Sequence, residues 1–355
     1  MTAYPSHQSL DALQAEINTL LTQLPDLDHG ELIQRALMTL VRMAEVEADR
    51  LDWKILNSSL QDMERAFRVF YLYRHVRKIA IFGSARMSPE TAEYQMAAAF
   101  AHQITQQGFM VMTGGGGGIM QAGNEGATAA KSFGLNIQLP FEQTSNPFIE
   151  GDAKLINFKY FFTRKLFFLR ETDAVALFPG GFGTQDEAFE CLTLMQTGKS
   201  PLIPVVLVDE PGRGYWKSWD AHIREHLLKT NLISPDDLSL YTITDNIDVA
   251  CDVIMSFYQV YHSSRYVSDR LVIRLKSELS DAALEELNET FHDILVQGRI
   301  ERSPAVVSEP DPELDGLPRL VMHFNQRDLG RLYQLICAIN RLGAPTIADA
   351  HPEKK

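Results

Sequence analysis

Three glycine-rich turns mark where this chain could do chemistry: Gly83-Ser84, the run Gly114, Gly115, Gly116, Gly117 and Gly118 behind Thr113, and Gly180-Gly181-Phe182-Gly183-Thr184. Glycine lets the backbone approach a ligand closely, and a helix that follows offers unpaired N–H groups to an anion. Each turn follows a predicted strand, so the three gather at one mouth and define a phosphate or nucleotide site. The third is the most informative, because Pro179 to Glu187 reads PGGxGTxxE. Thr184, near a helix N-terminus, can offer its hydroxyl to a phosphate oxygen, and Glu187, about one helical turn later, projects toward the same mouth. The same two residues also fit a capping box, a purely structural use. Both readings stand on the spacing alone. Arg164-Lys165 lies inside FKYFFTRKLFFLR, a setting too apolar for a solvated charged face. A guanidinium there can grip phosphate or hydroxyl oxygens in a fixed fork. Arg86, just after the first turn, is a further phosphate candidate, with a surface salt bridge as its alternative.

Several familiar chemistries are disfavoured. No GxxxxGK[ST] occurs, so the phosphate loop of ATPases and GTPases is absent. The five-glycine run lacks the full GxGxxG, follows the second predicted strand instead of the first, and has no acidic residue placed for a ribose hydroxyl, which argues against hydride transfer. The 10 histidines form no HxH or HExxH pair, and no dedicated metal site or cofactor is expected. His292 and His323 read as packing or surface residues. Cys191, Cys251 and Cys337 are widely separated and form no CxxC, so they read as buried thiols. A Schiff-base role for Lys165 has no supporting cofactor motif.

The elements that must position these residues are an α/β alternation. KIAIFGSAR is a strand entering a turn, TAEYQMAAAFAHQITQQG a helix, FMVMTGGGGG a second strand and loop, IMQAGNEGATAAKSFG a helix and LNIQLP a third strand. NFKYFFTRKLFFLRET reads as a helix, DAVALFPGGFGT as strand and loop, QDEAFECLTLMQTGK as the helix behind it, and PLIPVVLVD as another strand. YWKSWDAHIREHLLKTNLI and IDVACDVIMSFYQVYHS read as closing helices. The pattern predicts an α/β fold, a doubly wound Rossmann-like parallel sheet over residues 74–262. Residues 1–73 read as a helical extension: one helix on Leu10, Leu13, Ile17, Leu20, Leu21 and Leu24, a second after an Asp-His-Gly break, and a third beginning at Ser58-Ser59. Residues 265–348 read as β-α-β-β-α, a small α+β domain of the ferredoxin-like kind, with an acidic turn at EPDPELDG and a solvated tail at PEKK.

Composition sets the outer bounds. The 355 residues are 45% hydrophobic and 22% charged, the balance of a folded globular chain. The net charge of −13 repels phosphate backbones, so nucleic acid is not an expected partner. No apolar run approaches the length of a membrane span. The N-terminus lacks the basic start and apolar core of a signal peptide. The expected setting is the cytoplasm, with no membrane partner.

TGGGGGIMQAGNEGA, the Arg164-Lys165 pair and PGGFGTQDE occur in this order and at these separations, and together they resemble the LONELY GUY (LOG) family, formerly labelled "lysine decarboxylase-like". The resemblance covers about residues 76–220. Thr113-Gly114-Gly115-Gly116 stands where the family commonly has YGGG, and FFTRK where plant-type members have MHERK, which points to a bacterial subgroup. The resemblance implies a phosphoribohydrolase that cleaves the N-glycosidic bond of a nucleoside 5′-monophosphate to free base and ribose 5-phosphate. Cytokinin ribotides are the plant substrates, and bacterial relatives also cleave AMP and other monophosphates. Carried over by position, Arg164 and Glu187 act on the ribose and the scissile bond. Gly180, Gly181, Gly183 and Thr184 hold the 5′-phosphate, and Gly114 to Gly118 line the pocket with Ser84 nearby. The resemblance also implies a homo-oligomer with sites near subunit interfaces.

The chemistry suits the residues. Glycosidic cleavage passes through an oxocarbenium-like sugar, and a carboxylate beside C1′ stabilises that cation and can activate water. The competing expectation is a binding module without turnover, since sheets of this type also occur in molybdenum-cofactor carriers and DprA-like single-strand DNA proteins. Any regulatory role of residues 265–348 rests on fold analogy alone.

Overall fold

The computed structural model describes residues 12, 14–19, 28–46, 48–139, 144–303 and 314–344. Most of the first predicted helix, the EPDPELDG turn up to Glu313 and the PEKK tail lie outside these residues. The chain divides into two compact units, residues 1–61 and 62–355.

Among the described residues the first unit is helical. Helix α1 (Gly30–Glu45) is followed by α2 (Arg50–Tyr71), whose last ten residues belong to the second unit. Ser58-Ser59 therefore does not start a helix. Asp49 supplies the start instead, its Oδ1 accepting from the amides of Leu51 at 2.6 Å and Asp52 at 3.0 Å. Ser59 turns its hydroxyl back onto Ile55 O at 2.7 Å, which lets a polar residue sit inside a helix.

The second unit is built on short apolar runs that become strands: β1 (Lys78–Phe82), β2 (Met110–Thr113), β3 (Ser132–Ile137), β4 (Leu155–Phe158), β5 (Ala174–Leu177), β6 (Val205–Val208) and β7 (Thr242–Thr244). They form one parallel sheet in the order β4-β3-β2-β1-β5-β6-β7. The order reverses between β1, which pairs with β2 on one side, and β5 on the other. In such sheets the crevice beyond the strand ends at this reversal is where ligands bind. Helices α3 (Ala92–Gln106), α4 (Ile119–Ala127), α5 (Phe161–Glu171), α6 (Phe182–Gln196), α7 (Tyr215–Ile223) and α8 (Ile247–Phe257) belong to the same unit. Phe100, Phe133, Phe167, Phe168 and Trp216 are fully buried in its core.

The α/β architecture matches the expectation, with corrections in detail. The helix expected over 119–134 stops at Ala127, because Thr128 takes φ 64° and turns the chain, and Ser132 to Gly134 open β3. Strands β4 and β7 were not anticipated. The helix expected to begin at Asn157 begins at Phe161.

The chain then forms a second sheet from β8 (Tyr261–Val267), β9 (Arg270–Leu275), β10 (Leu295–Arg302) and β11 (Arg319–Phe324), antiparallel in the order β10-β11-β9-β8, with α9 (Asp281–Thr290) and α10 (Leu329–Gly343). The observed order is β-β-α-β-β-α, not the expected β-α-β-β-α of the ferredoxin-like kind. Tyr261 to Ser263, expected in a helix, start β8, and Leu295 to Gly298, also expected in a helix, start β10. Leu271, Ile273 and Leu275 alternate into the core with Leu320, Met322 and Phe324. Helix α10 ties this sheet to the rest of the unit. Asn340 Oδ1 accepts from the amides of Val260 at 2.8 Å and Tyr261 at 2.9 Å, and its Nδ2 donates to Phe257 O at 2.6 Å. Gln334 Nε2 donates to Asp236 Oδ1 at 2.9 Å, and Gln196, the last residue of α6, donates to Asp237 Oδ2 at 2.7 Å.

Candidate active site

A cleft of about 760 Å³ opens beyond the ends of β1 and β5. Gly83, Ser84 and Arg86 come from the turn after β1, Gly180 and Gly181 from the turn after β5, and Gly183, Thr184 and Glu187 from the first turn and a half of α6. Gly114 comes from the loop after β2 and Arg164 from α5. The two turns at the sheet reversal are stitched together, since the Ser84 amide donates to Pro179 O at 3.0 Å and the Ile119 amide to Ser84 O at 3.0 Å. Two glycines are required by this closeness. Gly118 has φ 64°, and a Cβ on it would stand 2.2 Å from Ser84 O. A Cβ on Gly180 would stand 2.1 Å from Thr184 Oγ1 and 2.9 Å from Ser84 N.

Helix α6 starts at the cleft with Gly181 as its N-cap and no side chain capping it. Thr184 lies inside the first turn, so the capping-box reading of Thr184 and Glu187 is not what forms. The uncapped first turn leaves N–H groups directed at the cleft, an arrangement that favours an anion. Tyr215 braces this loop. Its hydroxyl donates to Gly180 O at 2.6 Å and accepts from Gln185 Nε2 at 2.7 Å.

Glu187 is 6% exposed and faces two cations. Its Oε1 lies 3.7 Å from Arg164 Nη2 and its Oε2 lies 3.4 Å from Lys165 Nζ. Burial raises the Glu187 carboxyl above the ordinary glutamate range, and Lys165 and Arg164 pull against that rise. Burial lowers the Arg164 guanidinium, opposed by Glu187 and Asp186. Burial also works against the Lys165 ammonium, but the hydrogen bonds it donates to Glu190 and Asp186 and the charge of Glu187 outweigh it, so its pKa is raised. The buried Arg164 Nε has no hydrogen-bond partner among the described residues. Its guanidinium lies over the rings of Phe161, at 4.9 Å, and Phe168, at 5.7 Å. A buried guanidinium with a spare donor, a carboxylate and a helix N-terminus thus share one cleft.

The remaining residues named from sequence sit elsewhere. Lys165 does not line the cleft; it points to the outer side of Glu187, where it also meets Asp186 at 2.9 Å and Glu190. Thr113, Gly115, Gly116, Gly117 and Gly118 do not line it either. Their loop is turned inward by a buried polar network. Thr113 Oγ1 accepts from the Gly115 amide at 3.0 Å and donates to Asn124 Oδ1 at 2.7 Å. Asn146 donates to Gly116 O at 3.0 Å and to Asn124 Oδ1 at 2.9 Å. Only Gly114 of the five reaches the cleft wall.

Sequence reasoning missed the apolar part of that wall, Phe82, Met120, Ile137, Leu139 and Phe168, which gives one end of the cleft a surface suited to a flat ring. Their apolar type gave no sign of a ligand, although each flanks a glycine turn, lies at or just past a strand end, or sits on the Arg164 helix. Tyr215 and Gln185 were missed as well; Gln185 lies within the PGGxGTxxE motif and was legible there. Cys191, one turn beyond Glu187, is buried, and burial together with Glu187 and Glu190 pushes its thiol up to about 12, so it packs and is no nucleophile. No group of three or more His, Cys, Asp or Glu residues able to hold a metal occurs among the described residues, and no described helix is long and apolar enough to cross a membrane.

Fold and site together define a doubly wound α/β protein with an anion-accepting helix N-terminus and a buried carboxylate–guanidinium pair at the point of sheet reversal. Residues 120–254 match the model of the family described as "Possible lysine decarboxylase". The matched segment lies within the residues that build the parallel sheet and its helices. A curated relative, cytokinin riboside 5′-monophosphate phosphoribohydrolase LOG2 of Arabidopsis thaliana, is 28% identical over 127 residues, 34% of this chain and 58% of that protein. The match thus spans less than two thirds of that relative's length. Among solved structures, a molybdenum cofactor binding protein from Rippkaea orientalis aligns with 51% of this chain and 96% of its own at 19% identity and a TM-score of 0.37. DNA processing protein A from Helicobacter pylori aligns with 50% of this chain and 80% of its own at 16% identity and a TM-score of 0.36.

Proposed function

We propose that this protein is a nucleoside 5′-monophosphate N-glycosidase that releases free base and ribose 5-phosphate, with AMP and related monophosphates as substrates and cytokinin ribotides as the plant-type extension. The observation that carries the reading is Glu187 facing Arg164 across 3.7 Å in a cleft that also receives the N-terminus of α6. The 5′-phosphate would sit on the first turn of α6, at Gly181, Gly183 and Thr184, with Ser84 and Arg86 on the opposite lip. The base would lie against Met120, Ile137, Leu139 and Phe168. Arg164 would hold a ribose or phosphate oxygen with its guanidinium.

Between them Glu187 would face C1′. As the bond from C1′ to the base nitrogen breaks, its electron pair leaves with the base, which takes up a proton. The sugar becomes cationic, and the Glu187 carboxylate stabilises it and takes a proton from the water that adds to C1′. The reading places the enzyme in the cytoplasm as a homo-oligomer. Its contact surface would include Phe161, Phe162 and Leu166 of α5 with Phe182 and Phe189 of α6, all of them exposed.

The test is a chromatographic assay of AMP, GMP, CMP, UMP and isopentenyl-AMP with wild type and Glu187→Gln. Wild type releases free base, and the variant loses about 10²- to 10⁴-fold, the range for a lost acid–base group. Tight nucleotide capture without base release by the folded wild type would replace this reading with a binding module.

A further inference from the structure

Arg164 is aimed by its helix more than by partners of its own. Its Nε is unpartnered and its carboxylate contact is long at 3.7 Å, so its place depends on where the backbone of α5 begins. That helix starts at Phe161 with Tyr160 as its N-cap and no capping side chain of its own. The missing cap comes from far away in sequence. Asp62, on α2, is fully buried. Its Oδ2 accepts from the amide of Lys159 at 2.9 Å, the amide of Tyr160 at 3.4 Å and the hydroxyl of Thr163 at 2.9 Å. Its Oδ1 meets Arg65 Nη2 at 2.7 Å, and Arg65 also donates to Asn157 O at 3.2 Å. The pair Asp62–Arg65 therefore grips the whole entry to α5 from Asn157 to Thr163, the residue before Arg164.

A fully buried carboxylate is a costly way to end a helix. Desolvating it is unfavourable, whereas a local Ser, Thr or Asp at the N-cap would satisfy the same amides at the surface. What the remote carboxylate adds is a fixed point. Three of its hydrogen bonds converge on one turn, and its charge sits at the positive end of the helix.

We infer that Asp62 is a positioning residue for Arg164. It lies outside the cleft and acts by fixing the first turn of α5, so that the guanidinium stands where it can hold the sugar or phosphate. The inference rests on the glycosidase reading for its rate measurement and on the anchor geometry alone for its structural one.

The experiment is a double-mutant cycle on AMP hydrolysis with wild type, Asp62→Asn, Arg164→Ala and the double variant. Asp62→Asn keeps the shape and one acceptor, and is expected to lower kcat/KM by about 10- to 100-fold, the order that a misplacement of about 1 Å can cost. In the Arg164→Ala background the same change is expected to cost less than about threefold, because the residue it positions is gone. Equal losses in both backgrounds would show that Asp62 merely supports the fold and would overturn the inference, as would wild-type kinetics for Asp62→Asn. If Asp62→Asn does not fold, Thr163→Val, which removes one of the three bonds, runs the same cycle with a smaller expected loss. Hydrogen exchange of the Lys159 and Tyr160 amides is expected to quicken in Asp62→Asn, and unchanged exchange refutes the anchor. If wild type cleaves no nucleotide, the glycosidase reading fails by itself. The cycle is then read in the affinity for ribose 5-phosphate, where again an equal penalty in both backgrounds overturns the positioning role.

Discussion

Replacing glycines one at a time in the turn after β5 separates crowding within the protein from crowding against a ligand. A Cβ at Gly180 would stand 2.1 Å from Thr184 Oγ1 and 2.9 Å from Ser84 N. Relieving the first contact to roughly 3.3 Å, an ordinary carbon–oxygen approach, opens the turn by about 1.2 Å. Neither neighbour yields easily. Thr184 is buried in α6, and the Ser84 amide is held to Pro179 O. Overpacking of this kind costs about 1–3 kcal/mol of stability, and a displacement near 1 Å at a reacting site costs about 10²-fold in rate. At Gly181 and Gly183 a Cβ meets nothing within 4 Å, and neither residue has a positive φ. Gly181→Ala and Gly183→Ala are therefore expected to match wild type in urea denaturation. They raise the KM for AMP only because the added methyl enters space that the phosphate uses. Gly180→Ala is expected to lose both stability and kcat/KM. Two results would refute the reasoning: Gly180→Ala with wild-type stability, which contradicts the packing, or Gly181→Ala and Gly183→Ala with wild-type KM, which removes the phosphate from this turn.

Other expectations concern charge, the inner network and assembly. Because burial raises the Glu187 carboxyl and its anion is the working form, activity should fall as pH drops through a value above the ordinary 4.5. Lys165→Met removes the nearest opposing cation and should move this acid limb of kcat/KM to higher pH; a limb that stays or moves lower contradicts the assignment. The linkage sign is that of a raised acid: this group's share of stability is full below its unfolded pKa and is lost as pH rises through its folded one. Asn124→Ala strands the Thr113 hydroxyl, the Asn146 amide and Phe133 O, and should cost about 3 kcal/mol or more in denaturant titration. The proposed homo-oligomer predicts a lower sedimenting mass for Phe162→Asp, at a ring 54% exposed, than for wild type; an unchanged mass moves the contact elsewhere.

The sheet and its turns were legible in sequence because parallel strands covered on both faces read as unbroken apolar runs, as KIAIF, AVAL and VVLV do. What was not legible has local causes. LINF of β4 runs directly into KYFFTRK, and its four residues carry no break that separates strand from helix. In β8, YHSSRYV follows a helix whose apolar spacing continues through Tyr258 and Val260, so the pattern reads as one continuing helix. The hairpin that reveals β8 turns on Ser268-Asp269, with Ser268 at φ 57°, and lacks the Asn-Gly or Asp-Gly signature of such turns. In the cleft, Glu187, Arg164 and the third glycine turn could be picked out by type and spacing. The inward turn of the second glycine loop could not, because it depends on Asn146, about thirty residues later in the chain. Asp62 gave no signal, since its i,i+3 pair with Arg65 reads as an ordinary helix pair and the groups it holds on α5 lie about a hundred residues away.

The seam made by α10 has a practical consequence. Asn340 satisfies two amides and a carbonyl at the crossing from α8 to β8, and Gly330 lies so close to the backbone at Asp236 that a methyl there would stand 2.3 Å from its carbonyl oxygen. The C-terminal sheet is therefore keyed into the parallel-sheet half and does not hang from a linker. A chain cut after residue 264 would expose the Phe257 ring now stacked on Tyr333, and would bare the Val260 and Tyr261 amides and the Phe257 carbonyl that Asn340 now satisfies. Gene fusion, domain exchange and truncation at this point would act on one indivisible body. The far end of α6, the helix whose near end carries Glu187, is bonded through Gln196 to the same turn, residues 235–240, that Gln334 and Gly330 of α10 grip.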